Sequence, residues 1–168
     1  MKQFLKGLLV VVVLFGLTGC FSTLENEVTV NDINGNSKTI FNINETAVFE
    51  DVHYTVTNVE YSKGDDWDKP SEGKQYVIVT IKIDNKSDSK ITYNVFDWAM
   101  LNSQGQEDEE SFTTIDSDTN LSSGDLVSGG TKTGTIVFEE DINETSLKLL
   151  YYSNSLFDEN HTFEFKIK

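Results

Sequence analysis

Cys20 is the single thiol of this 168-residue chain. A thiolate is a strong nucleophile. One cysteine cannot close an internal disulfide, so the thiol suits another kind of covalent chemistry. It stands directly after Leu8–Leu17, ten residues that are all apolar or Gly, and the small pair Thr18-Gly19. The other residues with chemical reach are fewer and more scattered. His53 and His161 are the only histidines. A catalytic histidine needs a nucleophile and an orienting acid in space, and no G-x-S-x-G stretch supplies one. Zinc needs three or four Cys, His or acidic ligands, so two separated histidines predict no structural zinc site.

Oxygen ligands are more plentiful. Asp116, Asp118 and Asn120 alternate at the start of "DSDTNLSSGDLV" as the first ligands of a calcium loop do. Such a loop needs Gly at its sixth position and Glu at its twelfth, where this chain has Leu121 and Val127. The match fails, leaving these three as weak metal candidates, with "DNKSD" (Asp84–Asp88) as a looser one. Asp and Asn in such turns bond local backbone. The loop "YSKGDDWDKPSEGK" sets Trp67 among Asp65, Asp66 and Asp68. An aromatic there can anchor a partner or fold back onto the domain. Because isolated apolar surface residues need no special role, packing is the expectation.

The elements that hold these residues begin with an address. Lys2 and Lys6 precede the apolar run, and no acid occurs before Glu25. A membrane-spanning helix needs about 20 apolar residues. This run is half that, and a charged start, a short apolar core and small residues before a cut form a secretory signal. "LTGC" (Leu17–Cys20) resembles the lipobox of bacterial lipoproteins. The resemblance implies a diacylglyceryl group on Cys20 and cleavage after residue 19. Two acyl chains anchor stably where one does not. The expected organisation is a signal peptide over 1–19, a lipidated N-terminus and tether over 20–37, and a domain over 38–168. Cleavage leaves 11 Lys and Arg against 28 Asp and Glu, a net charge of −17. That excludes nucleic acid, whose binding rests on cations neutralising phosphate, and an electrostatic grip on anionic lipid.

Val, Ile, Thr, Phe and Tyr abound, and there is one Pro. Period-2 alternation recurs. In "KQYVIVTIKIDN" Val77, Val79, Ile81 and Ile83 share one face, with Tyr76, Thr80 and Lys82 on the other. Val52, Tyr54 and Val56 form a similar face, as do Leu147, Leu149 and Tyr151, and Phe163, Phe165 and Ile167. Asn34-Gly35 is a hairpin signal, pairing Val28–Ile33 with Lys38–Ile43. About seven to nine short strands with polar turns predict an all-β, antiparallel sandwich. A domain of roughly 130 residues can hold itself by its apolar core.

The ordered series "NETAVFEDVHYTVTNVE", "EGKQYVIVTIKIDNKSD", "FDWAMLNSQGQ", "LSSGDLVSGGTKTGTIVFEED" and "LKLLYYS" resembles a family of uncharacterised secreted lipoproteins of low-GC Gram-positive bacteria. The resemblance runs from Lys38 to Lys168. It implies a telokin-like, immunoglobulin-type sandwich, related to the immunoglobulin-like domain of a secreted mycobacterial antigen. Its most telling pieces are Glu72-Gly73-Lys74 leading to Asn85, and Gly129-Gly130…Gly134…Phe138. Family members often follow that Phe with a hydrophobic residue and Pro; here Glu139-Glu140-Asp141 stand instead. The family has no agreed catalytic residues, so none are carried over.

The functional expectation is a non-enzymatic binding module without cofactor. Lipid on Cys20 would hold it on the extracytoplasmic face of the cell membrane, with an envelope protein or cell-wall component as partner. A small-ligand or calcium sensor using the acidic loops is the alternative. An envelope hydrolase is the third, and it would require two close carboxylates in a pocket, one with raised pKa.

Overall fold

The computed structural model describes residues 29–153 and 160–168. Among the described residues eleven strands follow one another: β1 (Ile40–Asn42), β2 (Thr46–Phe49), β3 (Val52–Ser62), β4 (Lys74–Asn85), β5 (Ile91–Asn94), β6 (Trp98–Leu101), β7 (Glu107–Asp108), β8 (Ser123–Leu126), β9 (Thr131–Asp141), β10 (Lys148–Tyr151) and β11 (Phe163–Lys166). One sheet runs β2-β3-β4-β9, a second β1-β11-β10-β6-β7, and β5-β8 form a ribbon. The all-β sandwich expected from the alternation is what forms, with more strands than the seven to nine counted. All strand pairs are antiparallel except β1 with β11.

The long strands form where β-branched and aromatic residues alternate with polar ones. The inner faces are the alternating sets. Val52, Tyr54 and Val56 of β3 and Val77, Val79, Ile81 and Ile83 of β4 are buried against Trp98, Met100, Leu149, Tyr151, Phe163 and Phe165 of the facing sheet. Aromatic rings bridge the two sheets. Tyr54 lies 6.0 Å from Trp98 and 4.8 Å from Tyr151, centroid to centroid, within the range that favours tilted and edge-on pairs. A bulge between Val56 and Asn58 shifts the β3–β4 register. Below it Val59 is only half-buried.

Asn34-Gly35 does make a tight turn. Gly35 takes φ +82°, Gly35 N donates to Asp32 O, and Lys38 N donates to Val30 O. The hairpin stops there. Asn31 bridges both Ser37 and Val48, while Ile40–Asn42 leave to pair with β11. Burial explains the exchange: Phe41 thereby reaches the core, against Phe163 and Phe165. Val30 is also buried in that core. Val28 and the remainder of the N-terminal segment, including Cys20 and the signal over 1–19, lie outside the described residues.

The free edge of β9 is covered rather than open. Ser111 N donates to Val137 O at 2.7 Å, and Leu121 N donates to Thr135 O at 2.8 Å. Segment 109–121 thus covers the middle of that edge, at Thr135 and Val137, a device that keeps a strand edge from pairing with another chain. Gly134 makes room for it: a Cβ there would stand 2.6 Å from Leu121 Cα. Ile115 of this segment packs on Tyr76, Ile78 and Val137, a small second cluster on the outer face of β4 and β9.

Candidate functional site

The β3–β4 loop is built around two aspartates. Gly64 takes φ +73°, and any Cβ there would collide with Asp68 O. Asp65 Oδ1 then accepts Trp67 N at 2.7 Å and Asp68 N at 2.8 Å, the Asx turn that short acidic side chains favour. Asp68 turns inward as an anchor. Its Oδ1 accepts the Tyr76 hydroxyl at 2.6 Å. Its Oδ2 accepts Thr113 Oγ1 at 2.8 Å, Thr114 N at 2.5 Å and Thr114 Oγ1 at 2.8 Å. Four donors on one carboxylate, the Tyr76 hydroxyl foremost, hold Asp68 well below the usual carboxylate range. One charged group therefore clasps the β3–β4 loop to segment 109–121.

The clasp presents two aromatics. Trp67 is 96% exposed and Phe112 is fully exposed. Each is one residue, about 3.8 Å of Cα spacing, from a residue of the clasp. The expectation that Trp67 folds back onto the sandwich is corrected. Asp65 turns the backbone outward at residue 67, and Asp68 takes the inward position instead. Asp66 points to solvent, 3.9 Å from Lys69 Nζ. Phe112 was not singled out by sequence reasoning. An aromatic inside the polar run "EDEESFTTIDSD" was the available signal.

Beside the clasp, a groove of about 450 Å³ runs between segment 109–121 and the outer face of β3, β4 and β9. Glu60, Ile78, Asp116, Asp118, Thr119 and Lys132 are among its walls. The three calcium candidates part here. Asp116, in the left-handed region at φ 54°, and Asp118 line the groove. Asn120 turns aside: its Nδ2 donates to Glu110 Oε1 and its Oδ1 accepts Ser122 N. Among the described residues, no three His, Cys, Asp or Glu side chains gather closely enough to hold a metal ion. At the looser candidate, Asp84 instead accepts Thr131 Oγ1 and pairs with Lys82.

The histidines occupy separate places. His53 is half-buried in β3 opposite Asp84, and His161 stands 3.5 Å from Glu164. A buried carboxyl lies elsewhere. Glu140 of β9 is 2% exposed, and its Oε1 has no hydrogen-bond partner among the described residues. Burial pushes it up to about 7; Asp108 and Glu144 add to the shift and Lys74 opposes it. Enclosed this way, Glu140 offers no substrate access.

Two facing sheets with a shared apolar core, and loops carrying the exposed aromatics, define an immunoglobulin-like β-sandwich. The chain belongs to the DUF4352 family, a domain of unknown function, which it matches over residues 41–162. Solved structures share the fold. The yjhA protein of Bacillus subtilis is 21% identical over 76% of this chain and 99% of that one, with a TM-score of 0.57. A candidate lipoprotein of Bacillus subtilis, ycdA, is 17% identical over 71% of this chain and 37% of its own longer chain, with a TM-score of 0.58. A candidate lipoprotein of Staphylococcus aureus is 16% identical over 73% of this chain and 87% of that one, with a TM-score of 0.53. Comparison with curated proteins gives no match. Among the described residues no helix is long and apolar enough to cross a membrane.

Proposed function

We propose that this chain is a lipoprotein of the bacterial envelope, held by lipid on Cys20 at the extracytoplasmic face of the membrane. It works as a binding module and not as an enzyme. The observation that carries the binding role is the pair Trp67 and Phe112, exposed on either side of the Asp68 clasp. Exposed aromatics grouped on an ordered frame mark interaction surfaces, and the clasp removes much of the ordering cost of binding. The anchor is supported by "LTGC" after a short apolar run and by two fold relatives described as candidate lipoproteins. The reading extends to kinship with the immunoglobulin-like domain of the secreted mycobacterial antigen, through the shared sandwich class.

Two measurements test it. Inhibiting the lipoprotein signal peptidase in cells should accumulate the uncleaved form, and Cys20→Ala should release the protein from membranes. A Cys20→Ala chain that stays membrane-bound and processed would sink the anchor. A photo-crosslinking residue at position 67 or 112 should capture a discrete partner, while one at exposed Ile33 should not. Identical capture at all three positions would sink the binding surface.

A further inference from the structure

Resting on that reading, we infer that the Trp67–Phe112 surface and the acidic groove beside it receive a basic segment of a partner protein. In this arrangement apolar side chains lie on the two rings and Lys or Arg side chains enter the groove.

Two independent features meet at this place. The first is apolar. Trp67 and Phe112 are exposed next to the clasp, and Ile115, three residues beyond Phe112, packs on Ile78, which is itself a wall of the groove. Phe112 is therefore joined to the groove by one short stretch of segment 109–121, and Trp67 is tied to the same stretch through the Asp68 bonds to Thr113 and Thr114. Rings of this kind supply large contact area at small entropic cost.

The second feature is charge. The groove is walled by Glu60, Asp116 and Asp118 against one cation, Lys132. None of these four makes an ion pair within 4 Å among the described residues. Asp65 and Asp66 add negative charge beside Trp67, with Lys69 3.9 Å from Asp66. A groove with a net excess of one sign of charge concentrates ligands of the opposite sign and speeds their approach. With a whole-chain charge of −15, an anionic partner is repelled at long range and again at the groove. A neutral polymer could stack on the rings, but it would leave Asp116 and Asp118 without a role. Charge complementarity selects a cationic polypeptide.

The two tryptophans make this measurable, because Trp98 is 2% exposed and Trp67 is 96% exposed. Binding on the proposed surface desolvates Trp67 alone. The full chain in zwitterionic nanodiscs would be titrated with a short Lys/Leu peptide lacking Trp and Tyr, with empty nanodiscs as the blank. Its counterpart with Glu for every Lys, and a soluble neutral polysaccharide, serve as the other arms. The expected result is a saturable blue shift with the Lys/Leu peptide only. It should weaken at least tenfold at about 1 M salt, where the screening length falls to roughly 3 Å. Asp116→Asn with Asp118→Asn, both exposed positions, should weaken binding about tenfold with no change in melting temperature. Phe112→Ala should do the same.

If the Glu peptide or the polysaccharide shifts Trp67 equally, the cationic partner is overturned while the binding surface stands. Lys/Leu binding that ignores both sets of substitutions also overturns it. If no probe moves Trp67, the cationic partner falls. If crosslinking from 67 and 112 then also captures nothing discrete, the binding-module reading falls with it.

Discussion

The hydroxyls of Tyr54 and Tyr151, 97 residues apart, meet at 3.1 Å inside the core, one from each sheet. Both rings are packed among aromatics, and both residues are buried. Burial pushes Tyr54 up to about 12 and Tyr151 higher still.

Tyr54→Phe or Tyr151→Phe leaves the partner hydroxyl buried and unpaired, costing about 1–3 kcal/mol. The double Phe variant should recover part of that loss, because no orphan remains. Urea unfolding of the three variants gives the comparison. Since the folded-state pKa is raised, the pair's stabilisation is complete below pH 10 and declines as pH rises from 10 toward 12. The double variant should lose that decline.

Asp68 titrates with the opposite sign. Its folded pKa is depressed, so its stabilisation is present above the unfolded value of about 3.9 and is lost as pH falls below it. Asp68→Asn should flatten the acid limb of the stability curve. Limited proteolysis at neutral pH should then cut Asp68→Asn faster than the parent within 61–74 and 109–121.

Glu140 should be a liability at alkaline pH. Its pKa is raised from 4.5 to about 7, so its own contribution to stability is fullest below pH 4.5 and is lost as pH rises through 7. Glu140→Gln should be more stable at pH 8 by on the order of 2 kcal/mol, and about equal at pH 4. Melting curves at the two pH values decide it; an equal gain at both would refute the titration.

Asn85 ends β4 as a fully buried polar hub. Its Nδ2 donates to Ser89 O and Leu126 O, and its Oδ1 accepts Ser87 N and Oγ. Its backbone exchanges bonds with Gly129 and Gly130. Asn85→Ala should cost about 2–4 kcal/mol. Asn85→Asp should cost as much or more at neutral pH, because two carbonyls would face a carboxylate. Denaturant midpoints measure both.

Much of the fold was legible because burial on one face imposes a period of two. Every inward residue named for β3, β4, β10 and β11 lies in the core. What stayed hidden depends on partners distant in sequence. Nothing near Ile40 says that it runs parallel to Glu164. Trp67 and Asp68 are adjacent, and only the arrival of Thr113 and Thr114 decides which of them turns inward. The local departure at Glu139-Glu140-Asp141 was visible. The buried acid it creates required knowing that the fold brings Asp108 of β7 and Glu144 of the β9–β10 turn near Glu140. Asn85 and Gly129-Gly130, separate marks of the resemblance in sequence, are two halves of one hydrogen-bonded corner.

The strip that shields β9 is attached to its own strand by few backbone bonds, and much of its hold comes from one carboxylate on another loop. Asp68 therefore guards more than the shape of two loops. If it lets go, the strip loosens between its Ser111 and Leu121 bonds to β9, and the middle of that edge is less well guarded against pairing with a neighbouring copy. Keeping neighbours apart and displaying the aromatic pair are tasks entrusted to the same aspartate.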